Sequence, residues 1–511
     1  MSSVLDIPIH VKLGHDILLH IFEESRMAGV LQHLSMTCRY IRSESMSILF
    51  QSCVAIIERP TTEHFLPTTL WPFVRSFTLI DDCPDITAMR HPTICYTDDR
   101  LLCGVLDGPF LRHALNSMPR LQSLTIKLRY NELHGLPWST LDAVLSVPWL
   151  RDIVIQSYIF CPRYFPATAL LPEMLPPLTT FSYRLFTTRP LPRSYPAERS
   201  ALGAVVGNIH GSIETLTLPS ESVSFTMFHS KVWERLRSLT LTGEYPIDLS
   251  LPLICVLASM PELCVLILAF ALPIRNRQSI WPRGASVTFP WPKLTDLTLS
   301  FPDPGDQIFA YLPASLRRLS LLCCPHHCFY KWDPLLNYPW HSPILDATEM
   351  LEVLDAVQAP SLEAFRLEYR ADDVDEALLR RIVTAFPHLT IIEMHRFRAE
   401  GDQDVPVTAI AKMLSRLVSL RNLRLHLDFP IMARTWMAED EKVLWDDLKA
   451  NAALIARELD SSLDSFGILR WDAYDRDFKW SFFPADPELC DCLPEDSYAI
   501  LDQIIHRDDW L

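Results

Sequence analysis

The sequence predicts an α/β solenoid, a curved parallel sheet with helices on its outside, preceded by a small all-α domain. Three observations predict it. A block of the form Leu-x-x-Leu-x-Leu recurs along most of the chain, clean at Leu236-Leu239-Leu241, Leu121-Leu124-Ile126, Leu294-Leu297-Leu299, Leu316-Leu319-Leu321 and Leu420-Leu423-Leu425. Prolines stand shortly ahead of many copies (Pro119, Pro148, Pro177, Pro261, Pro292, Pro313, Pro360, Pro387). The first sixty residues instead repeat their apolar positions every three to four residues, which is helical spacing.

In that first stretch Leu13, Ile17 and Ile21, with Leu18 and Phe22, form one stripe, and Asp16 is acidic in its first turn. The stripe breaks at Met27-Ala28-Gly29 and resumes with Val30, Leu31, Leu34, Cys38 and Ile41. Such a pattern makes a helical hairpin or small bundle. The runs Leu13 to Phe22 and Leu31 to Arg42, above all Thr37-Cys38-Arg39-Tyr40-Ile41, resemble an F-box, with Gly14 where that family usually has Pro and Asp16 where it has Glu. The resemblance covers about 45 residues. It implies docking, through an apolar helical face, onto a Skp-type adaptor and through it a cullin–RING ubiquitin ligase. By position the docking residues would be Leu13, Ile17, Ile21, Phe22, Leu31, Leu34 and Ile41. The competing reading makes the same helices a cap on the open end of the array, which terminal repeats require.

From Val74 onward each block is expected to give one short strand. Its second and third apolar residues lie two apart, so both point to one face, and the first marks the turn into the strand. A proline upstream ends the preceding helix and holds its predecessor extended. Looser blocks start at Val74, Leu150, Leu178, Ile213, Leu263, Leu362, Leu389 and Phe466, the last read as Phe466-Leu469-Trp471. Several neighbours are separated by 22 to 31 residues, close to the roughly 20–29 of leucine-rich repeats. The whole resembles the leucine-rich-repeat F-box proteins of fungi, which makes the fold class a leucine-rich-repeat-like solenoid after an all-α F-box domain. The domains are then 1–60, F-box-like, and 61–511, an irregular repeat array with a C-terminal cap from about 472. Helices are expected over 101–116, 251–259, 373–386, 407–417 and 436–459. Three intervals are long, at 47, 46 and 46 residues from Val74, Leu316 and Leu420, and each has room for a degenerate repeat or an insertion. The polar residue that family places three positions after the third leucine is mostly missing, with Cys324 the convincing instance, so no regular ladder is expected along the coil's edge.

Residues between the apolar anchors must point to the opposite, concave face. Early blocks place small hydroxyls there (Ser76, Thr78, Ser123, Thr125, Thr240); late blocks place Arg366, Glu368, Glu393, His395, Arg424, His426, Arg470 and Asp472. Since solenoids bind on extended concave faces, these charged residues are the expected contact surface for a protein target. Charge reversal at Arg366 or Arg424 is expected to weaken target capture without unfolding.

Composition sets the remaining bounds. A net charge of −16 opposes a phosphate backbone, so no nucleic acid partner is expected. The most apolar stretch, about 12 residues from Leu263, is too short to cross a bilayer, and the first twelve residues do not read as a signal peptide. Thirteen cysteines at irregular spacing suggest reduced thiols, hence a cytoplasmic or nuclear setting. Cys323 to Cys328 and Cys490-Asp491-Cys492 lack paired metal-ligand spacing. With no nucleophile elbow, phosphate loop or zinc-protease motif, neither cofactor, metal nor enzymatic activity is expected. The function these observations favour is substrate recognition for a Skp–cullin–F-box ligase. The alternative is a protein-interaction scaffold with no ligase link.

Overall fold

The computed structural model describes residues 15–58, 65–83, 101–106, 109–129, 134–165, 175–185, 194–246, 249–272, 277–285, 287–323, 344–399, 401, 404–429, 438–459, 463, 465–472, 477–486 and 502–504. The chain forms two compact units, Met1–Thr215 and Leu216–Leu511.

The first unit opens with helices α1 (His15–Met27), α2 (Leu31–Ser35) and α3 (Arg39–Leu49). After α1 the chain turns at Gly29, whose φ is +72°. The Val30 amide then reaches back to the Ser25 carbonyl, the helix-ending turn that glycine favours. Cys38 caps α3, its Sγ accepting from the Ile41 amide at 3.5 Å. Leu18, Phe22, Leu31, Ile41 and Ile48 meet in one core, and each such burial is worth about 1.5–3 kcal/mol.

Strand β1 (Ser52–Ile57) follows inside the stretch expected to be all helix. Its inward residues, Cys53 and Ala55, stand where later coils have leucine, so the block motif does not reveal it. β1 pairs in parallel with β2 (Ser76–Asp81), and β2 with β3 (Ser123–Leu128) after helix α4 (Pro109–Asn116). Beyond β3 come β4 (His134–Leu136), α5 (Trp138–Leu145), β5 (Asp152–Gln156), β6 (Tyr158–Phe160), β7 (Thr180–Arg184) and α6 (Pro196–Ile209). β5 joins β3 and β7 joins β5, again in parallel, while β4 and β6 make a separate two-stranded sheet.

The second unit holds all but the first residue of β8 (Thr215–Pro219), then α7 (Phe225–Ser230), β9 (Ser238–Glu244), α8 (Leu253–Val256), β10 (Val265–Ala271), β11 (Asp296–Leu299) and β12 (Arg318–Leu321). It continues with β13 (Leu345–Asp346), α9 (Ala347–Ala356), β14 (Ala364–Arg370), α10 (Asp375–Ala385), β15 (Ile391–Phe397), α11 (Val407–Leu414), β16 (Asn422–Leu427) and α12 (Ala438–Glu458). β17 (Ser465–Asp472), β18 (Asp477–Pro484) and β19 (Asp502–Ile504) close the unit. Strands β9-β10-β11-β12-β14-β15-β16-β17 run parallel in that order, and β18 and β19 add on antiparallel.

In every block but the last, the second and third apolar residues are at most 1% exposed, sealed against the outer helices and turns. The last block sits in a different register. Leu423 pairs with Phe466 and Leu425 with Ile468, so the anchors are Leu463-Phe466-Ile468. A shift of an odd number of residues exchanges the faces of a strand. Arg470 therefore points inward, 3% exposed, and its Nε donates to Ser481 Oγ at 3.0 Å. The long intervals are insertions: their flanking strands β2 and β3, β12 and β14, and β16 and β17 pair directly.

The coil edges are more regular than expected. Two successive amides at the start of a strand share one carbonyl of the coil before: Gln122 and Ser123 on Arg75, Cys264 and Val265 on Arg237, Arg421 and Asn422 on Thr390. Main-chain groups make this ladder, so it needs no asparagine. One irregular stretch is held by a carboxylate instead. Asp306 accepts from the amides of Ile280, Trp281 and Ile308 at 2.6, 3.1 and 3.0 Å.

Candidate functional site

A parallel sheet in register sets equal repeat positions side by side, one strand spacing (about 4.8 Å) apart. In the second unit this lines up Arg366 on β14, Glu393 on β15, Arg424 on β16 and Gly467 on β17, with Phe482 on β18 continuing the row. The row thus alternates plus, minus, plus, and then offers a bare backbone. Glu393, with a 5% exposed side chain, lies 3.6 Å from Arg366 Nε and 3.9 Å from Arg424 Nη1. His395 Nε2 donates to Glu393 Oε1 at 3.1 Å. Burial alone would raise the Glu393 pKa. The His395 hydrogen bond and the charges of His395, Arg366 and Arg424 outweigh it, leaving the group below the ordinary glutamate value.

The next row holds Glu368 and His395 in register, then His426. The rings of His395 and His426 lie 5.5 Å apart, with Trp480 edge-on to His395 at 6.0 Å. Glu368 turns to the end of β12 and accepts the Cys323 amide at 2.7 Å. Trp480 and Phe482 cover the face where Gly467 makes room, since a Cβ there would meet them at 3.2 and 3.3 Å. The Arg424 guanidinium stacks over both rings, at 5.5 and 5.9 Å from their centroids.

The expected target surface is therefore largely an internal clasp. Glu368, Glu393, His395 and His426 are buried, and Arg470 faces the other way. Arg366 remains accessible, its side chain 35% exposed, and Arg424 is 22% exposed. The expectation that charge reversal at Arg366 or Arg424 leaves the fold intact is corrected by this geometry, because a carboxylate at either position would face buried Glu393. What the sequence reading missed, Gly467, Trp480 and Phe482, was hidden by the register of the last block. Early strands keep a more open face, with Ser76, Thr78, Ser123 and Thr125 half-buried.

A second candidate surface lies on the N-terminal helices. Ile17 and Ile21, one turn apart on α1, are 54% and 39% exposed. Met27, Val30, Met36 and Tyr40, all in the α1–α3 region, are exposed as well. Phe22, Leu31 and Ile41, expected on the docking face, instead fill the core of the helices; Leu34 is half-buried against that core. Side chains that seal the three helices against one another cannot also face outward. Leu13 lies outside the described residues, as do Asp472's side chain, the stretch after Cys323 and Cys490 to Cys492. Among the described residues no helix is long and apolar enough to cross a membrane.

No protein-family model matches the sequence, and no curated protein matches it. Similar solved structures include the Drosophila Toll–Spatzle complex, at 12% identity and a TM-score of 0.33 over 75% of this chain. Another is the leucine-rich-repeat ectodomain of the Arabidopsis receptor kinase GASSHO1/SCHENGEN3 in complex with CASPARIAN STRIP INTEGRITY FACTOR 2, at 14% identity and a TM-score of 0.30 over 71% of this chain. The chain spans under half of each matched chain, 45% and 44%.

Proposed function

We propose that this chain is a protein-interaction receptor that works by binding, not by bond chemistry. Its N-terminal helices dock on a Skp-type adaptor of a cullin–RING ligase, and its repeat strands hold a protein target. One observation carries the adaptor half: α1 bears two separate apolar sets. Leu18 and Phe22 complete the helical core, while Ile17 and Ile21 are left over and exposed. Exposed apolar side chains clustered on so small a helical domain mark a contact surface, and the F-box resemblance supplies the adaptor as its occupant. The target half rests on the open early strands and on accessible Arg366.

The second reading is a scaffold whose helices only cap the sheet. It is favoured by β1, which follows α3 within three residues and pairs directly with β2. Co-precipitation of the purified full chain with a recombinant Skp-type adaptor separates the two. Binding that is lost in the Ile17→Asp/Ile21→Asp variant at unchanged melting temperature supports the receptor. Absence of binding by the unmodified chain gives the scaffold reading instead.

A further inference from the structure

In the first unit, chemistry-bearing side chains converge where strands end. β2 stops at Asp81, two residues before Cys83, and His134 opens β4. Cys103 is held beside His134 by main-chain bonds: its amide donates to the Gly135 carbonyl and the Gly135 amide to the Leu101 carbonyl, both at 2.7 Å. Glycine permits this approach, since a Cβ at position 135 would lie 2.6 Å from the Leu101 oxygen. One ligand atom each from Cys83, Cys103 and His134 fall within 4.8 Å of one another. All three residues are buried, at 0, 1 and 3% exposure.

Two further observations point to a ligand. His134 Nδ1, though buried, has no hydrogen-bond partner among the described residues, and neither does Asp81 Oδ1. The other Asp81 oxygen accepts from the Cys103 thiol at 2.7 Å and the Tyr158 hydroxyl at 2.6 Å, which fixes a carboxylate directly behind one thiol. Two thiols and an imidazole at this separation are a donor set for a borderline-soft cation, and zinc takes Cys and His ligands of this kind. The carboxylate behind Cys103 is an acceptor for the proton that this thiol must give up on binding a cation.

We infer that Cys83, Cys103 and His134 form a zinc site, with Asp81 and Tyr158 as positioning residues. Each thiol exchanges its S–H bond for an S–Zn bond, so two protons leave per ion, the one on Cys103 having Asp81 as its nearest acceptor. The neutral imidazole contributes a lone pair and no proton. The ion clips together three chain segments whose ligands are 20 and 31 residues apart. That spacing escapes any search for paired short motifs, because each ligand comes from a different segment.

The test uses the full chain, reduced and treated with a chelator, then titrated with Co2+ and Zn2+. One equivalent of Co2+ should give a near-ultraviolet thiolate-to-cobalt charge-transfer band that one equivalent of Zn2+ abolishes. Zn2+ should also protect Cys83 and Cys103 from alkylation, mapped by mass spectrometry on the unmodified chain, so the result stands even where a variant misfolds. Cys103→Ser and His134→Ala should lose the band, Cys264→Ser should keep it, and Tyr158→Phe should weaken zinc binding about 10–100-fold. A missing band, a full band in the ligand variants, unprotected Cys83 and Cys103, or a Cys83–Cys103 disulfide in chain isolated without reductant would each overturn the assignment.

Discussion

Replacing Glu393 with Gln tests whether the late-repeat face is an internal clasp. The substitution keeps the shape and removes the charge between Arg366, Arg424 and His395. At the 3.6 Å separation from Arg366, an effective dielectric near 20 gives a gross attraction of about 4–5 kcal/mol. Desolvating the carboxylate offsets part of it. Breaking a buried pair typically costs about 3–5 kcal/mol, and the lower end applies because Arg366 can turn to water. A loss near 3 kcal/mol corresponds to roughly a hundredfold change in an opening equilibrium. Amide exchange in β14, β15 and β16 should accelerate by about that factor. The pH dependence has a definite sign. The folded pKa of Glu393 lies below its unfolded value, so its contribution is complete above the unfolded pKa. It is lost as the pH falls through the folded one. The Gln variant should lack that acid-side loss. Exchange rates within threefold of the parent, or the same acid-side slope in both chains, would refute the clasp.

Other outcomes follow from the same geometry. Gly467→Val should cost about 1–3 kcal/mol by overpacking Trp480 and Phe482, read as a lower urea midpoint, and Trp480→Ala in the same chain should recover part of it. Asp306→Ala leaves three buried amides without their acceptor and should cost about 3 kcal/mol or more; a melting temperature unchanged from the parent would contradict its role. In the helical domain Phe22→Ala should cost about 3–5 kcal/mol, whereas Ile17→Ala should stay within about 0.5 kcal/mol. Equal effects of the two on thermal unfolding would contradict the division between core and surface.

The repeat blocks were legible because period-2 apolar spacing, a turn and an upstream proline are all local properties. The outer helices at Asp375–Ala385 and Val407–Leu414 were legible for the same reason. Four helices were not expected: Trp138–Leu145, Pro196–Ile209, Phe225–Ser230 and Ala347–Ala356. The first follows directly on β4, in a linker whose apolar residues merge with the neighbouring strand blocks. β1 went unseen because cysteine and alanine replace leucine, and the strand forms by pairing with β2.

What the sequence by itself determined is the spacing of strands, the face each leucine buries and the helical start of the chain. Each of these follows from side-chain periodicity within a few residues. Only the tertiary structure decided the register of the last strand, which turned Arg470 inward and brought Trp480 and Phe482 over Gly467. It alone decided that Glu393 lies between Arg366 and Arg424, and that Cys83, Cys103 and His134 meet. The physical reason is common to all of them. Charge pairing, aromatic cover and ligand geometry act between segments tens of residues apart, and their distances exist only once the coils stack.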